Sequence, residues 1–221
     1  MSTFEPNLSV LPPAQTEIWP ALDKIEDCFT LYGGTAIALQ LGHRISVDFD
    51  FFTNREFHSD EILKDLSATF SILQILQAGQ NLLTCKVGTK SGGVLFSFFG
   101  DLGIGYLEEP QFSASNQLKI ASLPDLFVMK LKAILGRVEV KDFIDIAELL
   151  RANYSLENAI AGFEAIFPCL ASPSILLRTL SFLEDERLVQ LSSSDINTIK
   201  NAISDFDQLP KIHLKKASIS S

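Results

Sequence analysis

Leu31-Tyr32-Gly33-Gly34-Thr35, with Ser46-Val47-Asp48-Phe49-Asp50-Phe51-Phe52 close behind it, is the stretch that decides how this chain is read. Side chains of a β-strand alternate between its two faces, so Asp48 and Asp50 share one face while Phe49 and Phe51 share the other. The segment offers a pair of hard oxygen ligands on an otherwise apolar strand. Two carboxylates so placed repel each other and are costly to desolvate unless a positive charge answers them. The Gly33-Gly34 pair sits where a short apolar strand gives way to a helix. A turn without Cβ atoms lets backbone N–H groups approach a phosphate closely, and the helix N-terminus favours negative charge there. Thirteen residues separate Gly34 from Asp48, room for one short helix. Together the halves outline a site for a magnesium-bound nucleoside triphosphate, with Asp48 and Asp50 on the cation and Gly33, Gly34 and Thr35 on the phosphates. The reaction class this suggests is nucleotidyl transfer.

Composition narrows the setting. The chain has 221 residues, 47% hydrophobic and 20% charged, ordinary for a globular protein with a substantial core. The N-terminus lacks a basic segment followed by an apolar run, and no stretch reaches the ~18 apolar residues of a membrane span, so a cytoplasmic protein without membrane partners is expected. Cys28, Cys85 and Cys169 stand alone, without zinc-site spacing, and read as reduced core fillers. A formal charge of −9 argues against a general nucleic-acid coat protein, which draws its affinity from clustered Lys and Arg. Local basic patches remain at Lys130, Lys132, Arg137 and Lys141, and at Lys211 to Lys216. The second of these reads as a frayed terminus.

Along the chain, Ala14 to Asp27 has helical apolar spacing, Phe29 to Tyr32 reads as a buried strand, and Thr35 to Leu41 as a helix that Gly42 ends. Ser46 to Phe52 is the acid-bearing strand. Ser59 caps a helix running to about Phe70. Strands are expected at Ser71 to Gln77, Leu82 to Val87, Gly93 to Phe99 and Asn116 to Ile120. From Leu123 the pattern turns helical: Leu126 to Leu135, Val138 to Leu150, Leu156 to Phe167, Ser174 to Leu183 and Asp195 to Phe206. The expected architecture is α+β, a mixed sheet with flanking helices over 1–122 followed by a C-terminal helical bundle over 123–221.

If Leu126 to Leu150 forms one nearly continuous helix, Lys130, Arg137 and Lys141 fall within roughly 40° of one another and form a stripe. Such a stripe is either a phosphate-facing surface or a solvated face paired with Glu139, Asp142 and Asp145. Gly136 is the point at which a break would free the two halves from a common phase.

Small residues after a hydrophobic strand, a spacer of about a dozen, then Asp-apolar-Asp-apolar: this arrangement resembles the DNA-polymerase-β-like nucleotidyltransferase superfamily. The wording Gly33-Gly34-Thr35-Ala36-Ile37-Ala38-Leu39 with Leu41-Gly42-His43-Arg44-Ile45-Ser46-Val47-Asp48-Phe49-Asp50-Phe51-Phe52 is similar to the AbiEii/AbiGii-type nucleotidyltransferase toxins. Lys130-Leu131-Lys132-Ala133, Arg137 and Lys141-Asp142-Phe143-Ile144-Asp145 extend the likeness. The resemblance implies a nucleotidyltransferase-like sheet, Mg2+ and an NTP, an RNA or protein acceptor such as a tRNA 3′ end, and an antitoxin partner. It also implies that Lys130 contacts the nucleotide phosphates, that Asp142 organises the site, and that Arg137, Lys141 and Asp145 support them. Arg44 and His43 serve either phosphate or acceptor contact or structural hydrogen bonding, and Ser46 either faces the phosphates or caps the strand edge.

One departure stands out. The superfamily commonly places a third carboxylate on a later strand, and the candidate here, Val94-Leu95-Phe96-Ser97-Phe98-Phe99, has a serine, with Asp101 only beyond its end, so a second metal site is either poor or borrows Asp142. Three readings follow: an NTP-dependent transferase acting as a toxin, a catalytically weakened nucleotide- or partner-binding module, and an enzyme that modifies a small molecule.

Overall fold

From the N-terminus, residues 2–215 of the computed structural model run β1 (Thr3–Phe4), α1 (Pro13–Ile18), β2 (Thr30–Tyr32), α2 (Gly33–Leu41), β3 (Asp48–Phe52) and α3 (Ser59–Thr69). There follow β4 (Ser71–Gly79), β5 (Leu82–Thr89), β6 (Gly92–Phe99), β7 (Gln111–Ser113) and β8 (Lys119–Ile120). The helices α4 (Leu123–Gly136), α5 (Val140–Arg151), α6 (Leu156–Ile166), α7 (Pro173–Ser181) and α8 (Ser193–Ser204) complete the described residues. One unit is built from Met1–Ile104 and Glu109–Ala121, the other from Gly105–Glu108 and Ser122–Ala217.

The first unit carries a single eight-stranded sheet in the order β1-β7-β8-β2-β3-β6-β5-β4. Directions are mixed, with β3 antiparallel to β2 and parallel to β6. The α+β reading and its mixed sheet are what the fold shows. Phe49 and Phe51 on β3 and Phe96 and Phe98 on β6 are fully buried and build one side of the sheet into an aromatic core. Phe51 stacks on Phe98 with ring centroids 4.9 Å apart, and Phe49 meets Phe96 edge-on at 5.5 Å, the two geometries that aromatic quadrupoles favour. Trp19 is buried against Phe49, and its indole N–H donates to Ser115 Oγ at 2.9 Å, so it packs and caps a polar group. This core holds β3 so that its alternate residues, Asp48 and Asp50, lie on the other face, each partly exposed.

Several boundaries differ from the sequence reading for identifiable reasons. The segment after α1 tightens into a 3₁₀ turn over Trp19–Lys24 rather than continuing as α-helix, with Pro20 inside it. His58, not Ser59, caps α3: its Nδ1 accepts from the Asp60 N–H at 3.5 Å. Strands β1 and β7 were not expected and are parallel partners of two and three residues. Cys85 is a core residue as read, but Cys28 is half-buried and Cys169 is exposed. The terminal segment is tied down at Lys215, whose N–H donates to the Tyr106 carbonyl at 3.0 Å, against the frayed end expected there. Lys216 lies outside the described residues.

In the second unit, α4 and α5 are separate helices. Arg137 and Glu139 adopt extended backbone angles between them, so the single helix and its common basic stripe do not form. No helix of the described residues is long and apolar enough to cross a membrane.

Candidate active site

The glycine corner and the acid strand meet in the first unit. Tyr32 on β2 lies directly opposite Asp50 on β3. The chain then turns at Gly33, whose φ of +75° is a left-handed conformation that suits a residue without Cβ. A Cβ at Gly33 would also lie 2.5 Å from Asp50 Oδ2, so the carboxylate packs against the bare backbone of the turn. Only glycine satisfies both conditions. Helix α2 starts there with no side-chain cap and ends at Gly42, where φ is +72° and the N–H closes onto the Ala38 carbonyl at 2.7 Å.

Thr35 and Ser46 are both buried. Their hydroxyls share a hydrogen bond of 2.8 Å, and the Thr35 hydroxyl also donates to the backbone carbonyl of Asp48. The pair ties the first turn of α2 to the start of β3. Arg44 is partly exposed, and its guanidinium donates to the Ile45 carbonyl at 3.0 Å. Gly33, Thr35, Ser46, Asp48 and Asp50 are thus gathered into one corner, with Gly34 next in the chain.

The second constellation lies wholly in the other unit. Lys130 on α4 is buried, and its ammonium donates to Asp142 Oδ1 at 2.8 Å and approaches Asp145 Oδ2 at 2.6 Å. Arg137 donates through Nε to Asp142 Oδ2 at 2.9 Å and through Nη2 to Asp142 Oδ1 at 3.2 Å, a bidentate clasp. Burial pushes the Asp142 carboxyl up, but hydrogen bonds and charge from Arg137 and Lys130 outweigh it and hold its pKa below the ordinary carboxylate range. Lys141 points elsewhere: it pairs with Glu139 at 3.1 Å on the surface. The break after Gly136 turns Arg137 onto Asp142 and leaves Lys141 out of the cluster.

Tyr32, stacked on Phe52 with ring centroids 4.7 Å apart, borders the acids and was not singled out in the sequence. Its position next to the Gly-Gly turn was the available signal. Thr84 and Lys86, which lie farther along the same sheet face, had none, because their placement depends on strand register.

Comparisons with known proteins give the family and the fold. The family model described as nucleotidyl transferase AbiEii toxin, type IV toxin–antitoxin system, matches residues 21–97 and 103–215. The chain belongs to the AbiEii nucleotidyltransferase toxin family. A protein of Aquifex aeolicus (strain VF5), titled uncharacterized protein aq_aa25, is 35% identical over 162 residues, covering 72% of this chain and 75% of its own length. MenT4, the nucleotidyltransferase toxin Rv2826c from Mycobacterium tuberculosis H37Rv, shares the fold at a TM-score of 0.55. That match has 13% sequence identity and covers 82% of this chain and 77% of MenT4. As a member of the AbiEii family the chain is a nucleotidyltransferase.

Two partly exposed carboxylates on one strand face are hard oxygen donors of the kind magnesium takes, one or two at a time, alongside substrate phosphates. The AbiEii chain's Asp48 and Asp50 therefore fit a divalent cation.

Proposed function

We propose that this AbiEii-family chain moves a nucleoside monophosphate from an NTP to an acceptor hydroxyl on RNA or protein. The acceptor oxygen bonds to the α-phosphorus, the α–β phosphoanhydride bond breaks, pyrophosphate leaves, and the hydroxyl proton passes to solvent. Asp48 and Asp50 would hold Mg2+, which when bound supplies Lewis-acid neutralisation of the phosphate charge. Gly33 and Gly34 leave room for phosphate at the start of α2. Thr35 and Ser46 serve it by fixing the backbone of Asp48.

In this reading Lys130 and Arg137 are the cations that family resemblance assigns to the nucleotide, and Asp142 is a positioning residue that fixes both within their own unit. Preorganised cations cost no reorganisation as charge moves to the leaving group. Arg44 and Lys141 contribute from partly exposed and exposed positions. The chain would act in the cytoplasm, where NTPs are available, as a toxin restrained by a separate antitoxin protein.

The observation that carries the reading is the packing of the Asp50 carboxylate against Gly33, with Asp48 on the same strand face. The test is label transfer. Purified chain incubated with α-³²P-NTP and total RNA or protein should label an acceptor, and γ-³²P-NTP should not. EDTA should abolish labelling and Mg2+ restore it. Transfer of the γ label, or α-labelling unaffected by EDTA, would refute the proposal.

A further inference from the structure

Register fixes what surrounds the acid pair on its own sheet face. Tyr32 lies beside Asp50 on β2. On β6, Leu95 lies beside Asp48 and Ser97 beside Asp50. One strand farther, Lys86 lies beside Leu95 and Thr84 beside Ser97. Residues directly opposite each other on paired strands share a face, so these are the acids' lateral neighbours. None is acidic, and Lys86 is a cation. Ser97 is buried between Asp50 and Thr84, in the lateral position next to the acid pair.

The remaining acids read into the site, Asp142 and Asp145, are both buried against Lys130 and not available as ligands. Asp142 has no exposed side-chain surface, and both of its oxygens accept hydrogen bonds from Lys130 and Arg137. Among the described residues no group of three or more His, Cys, Asp or Glu side chains is placed to hold a metal ion. One magnesium is served by one or two carboxylates with phosphates and water completing its shell. Two cations in a shared site lie ~3.5–4 Å apart and repel strongly, so a second needs further anionic ligands. A serine hydroxyl brings no charge.

We propose that this chain holds one divalent cation rather than two, with Ser97 standing where the carboxylate for a second would be. The inference rests on the nucleotidyltransferase reading. Its consequence is that the acceptor hydroxyl meets no protein-held cation of its own.

The experiment counts Mn2+ by electron paramagnetic resonance in a titration of the full chain with a non-hydrolysable NTP analogue, using the analogue alone as blank. One Mn2+ per chain is expected for the wild type and for Ser97→Ala. Ser97→Asp should raise the count to two, with folding checked by thermal melting. Two Mn2+ on the wild-type chain would overturn the proposal and leave the nucleotidyltransferase reading standing. A count of zero would overturn both. The wild-type count decides even if Ser97→Asp fails to fold. A loss of Mn2+ in Ser97→Ala would contradict the proposal separately, because it would make the hydroxyl a ligand.

Discussion

The two units each carry a close pair of aspartates, and the pairs have opposite settings. Asp48 and Asp50 stand two apart on a strand, on the partly exposed face of a sheet whose other face is aromatic core. Asp142 and Asp145 stand three apart on a helix with no exposed side-chain surface, and Lys130 lies between them. A buried carboxylate is tolerable only when paired, and this second pair takes its counter-charge from its own chain. The first pair stands on the partly exposed face of its sheet. In the proposed reading the chain uses the same side chain as a ligand in one place and as a scaffold for cations in the other.

The sharpest way to break this comparison is to make one change in both pairs and measure unfolding in urea. Asp142→Ala takes from buried Lys130 one of its two carboxylate partners and from Arg137 its bidentate acceptor, and should cost about 3–5 kcal/mol. Asp48→Ala removes one of two like charges at a partly exposed position and should fall within about 0.5 kcal/mol of wild type. Equal losses would show that the pairs do not differ as described.

Titration separates a third carboxylate from both. Asp125 at the start of α4 is buried and its pKa is raised to about 6 by desolvation, against hydrogen bonds from Ser122 and from the Leu107 and Glu108 N–H groups. A carboxyl with a raised folded-state pKa stabilises most below its unfolded value. That contribution is lost as pH rises from about 4 to about 6, on the order of 3 kcal/mol. Asp125→Asn should remove this fall from the stability profile. Asp142 has the opposite sign: its lowered pKa gives stability that is present above about pH 4 and lost as pH drops further.

Gly33→Ala should cost about 1–3 kcal/mol, because the left-handed backbone strains any other residue and the new Cβ meets Asp50. It should also weaken nucleotide binding. Smallest is Lys141→Ala, under about 0.5 kcal/mol by the same denaturation, since its ion pair with Glu139 is an exposed one. A larger cost would return Lys141 to the cluster.

The first aspartate pair was legible in the sequence because local rules decide it. The alternation of Asp and Phe sets the faces, Gly33-Gly34 marks the turn, and Gly42 stops α2. The second pair was legible from helical spacing as partners of the basic residues, and from family resemblance as part of the site, but its burial and geometry were hidden. Gly136 between the segments Leu126 to Leu135 and Val138 to Leu150 marks where a break can fall, but periodicity alone does not reveal that Arg137 to Glu139 leave the helix and swing the guanidinium onto Asp142. Strands β1 and β7 escaped because segments of two and three residues have no period and exist through pairing. The roles of Thr35 and Ser46 as ties to Asp48 were also invisible, since a hydroxyl near a glycine turn reads equally as a phosphate ligand.

The central claim is that Asp48 and Asp50 act as a pair in moving a nucleotide. The most direct measurement is the rate of α-³²P transfer by Asp48→Asn and Asp50→Asn, each shown by its melting temperature to be folded. A fall of at least ~100-fold in both is expected, matching the several kcal/mol that charge stabilisation at a metal site supplies. Transfer at an undiminished rate by either folded variant would contradict it.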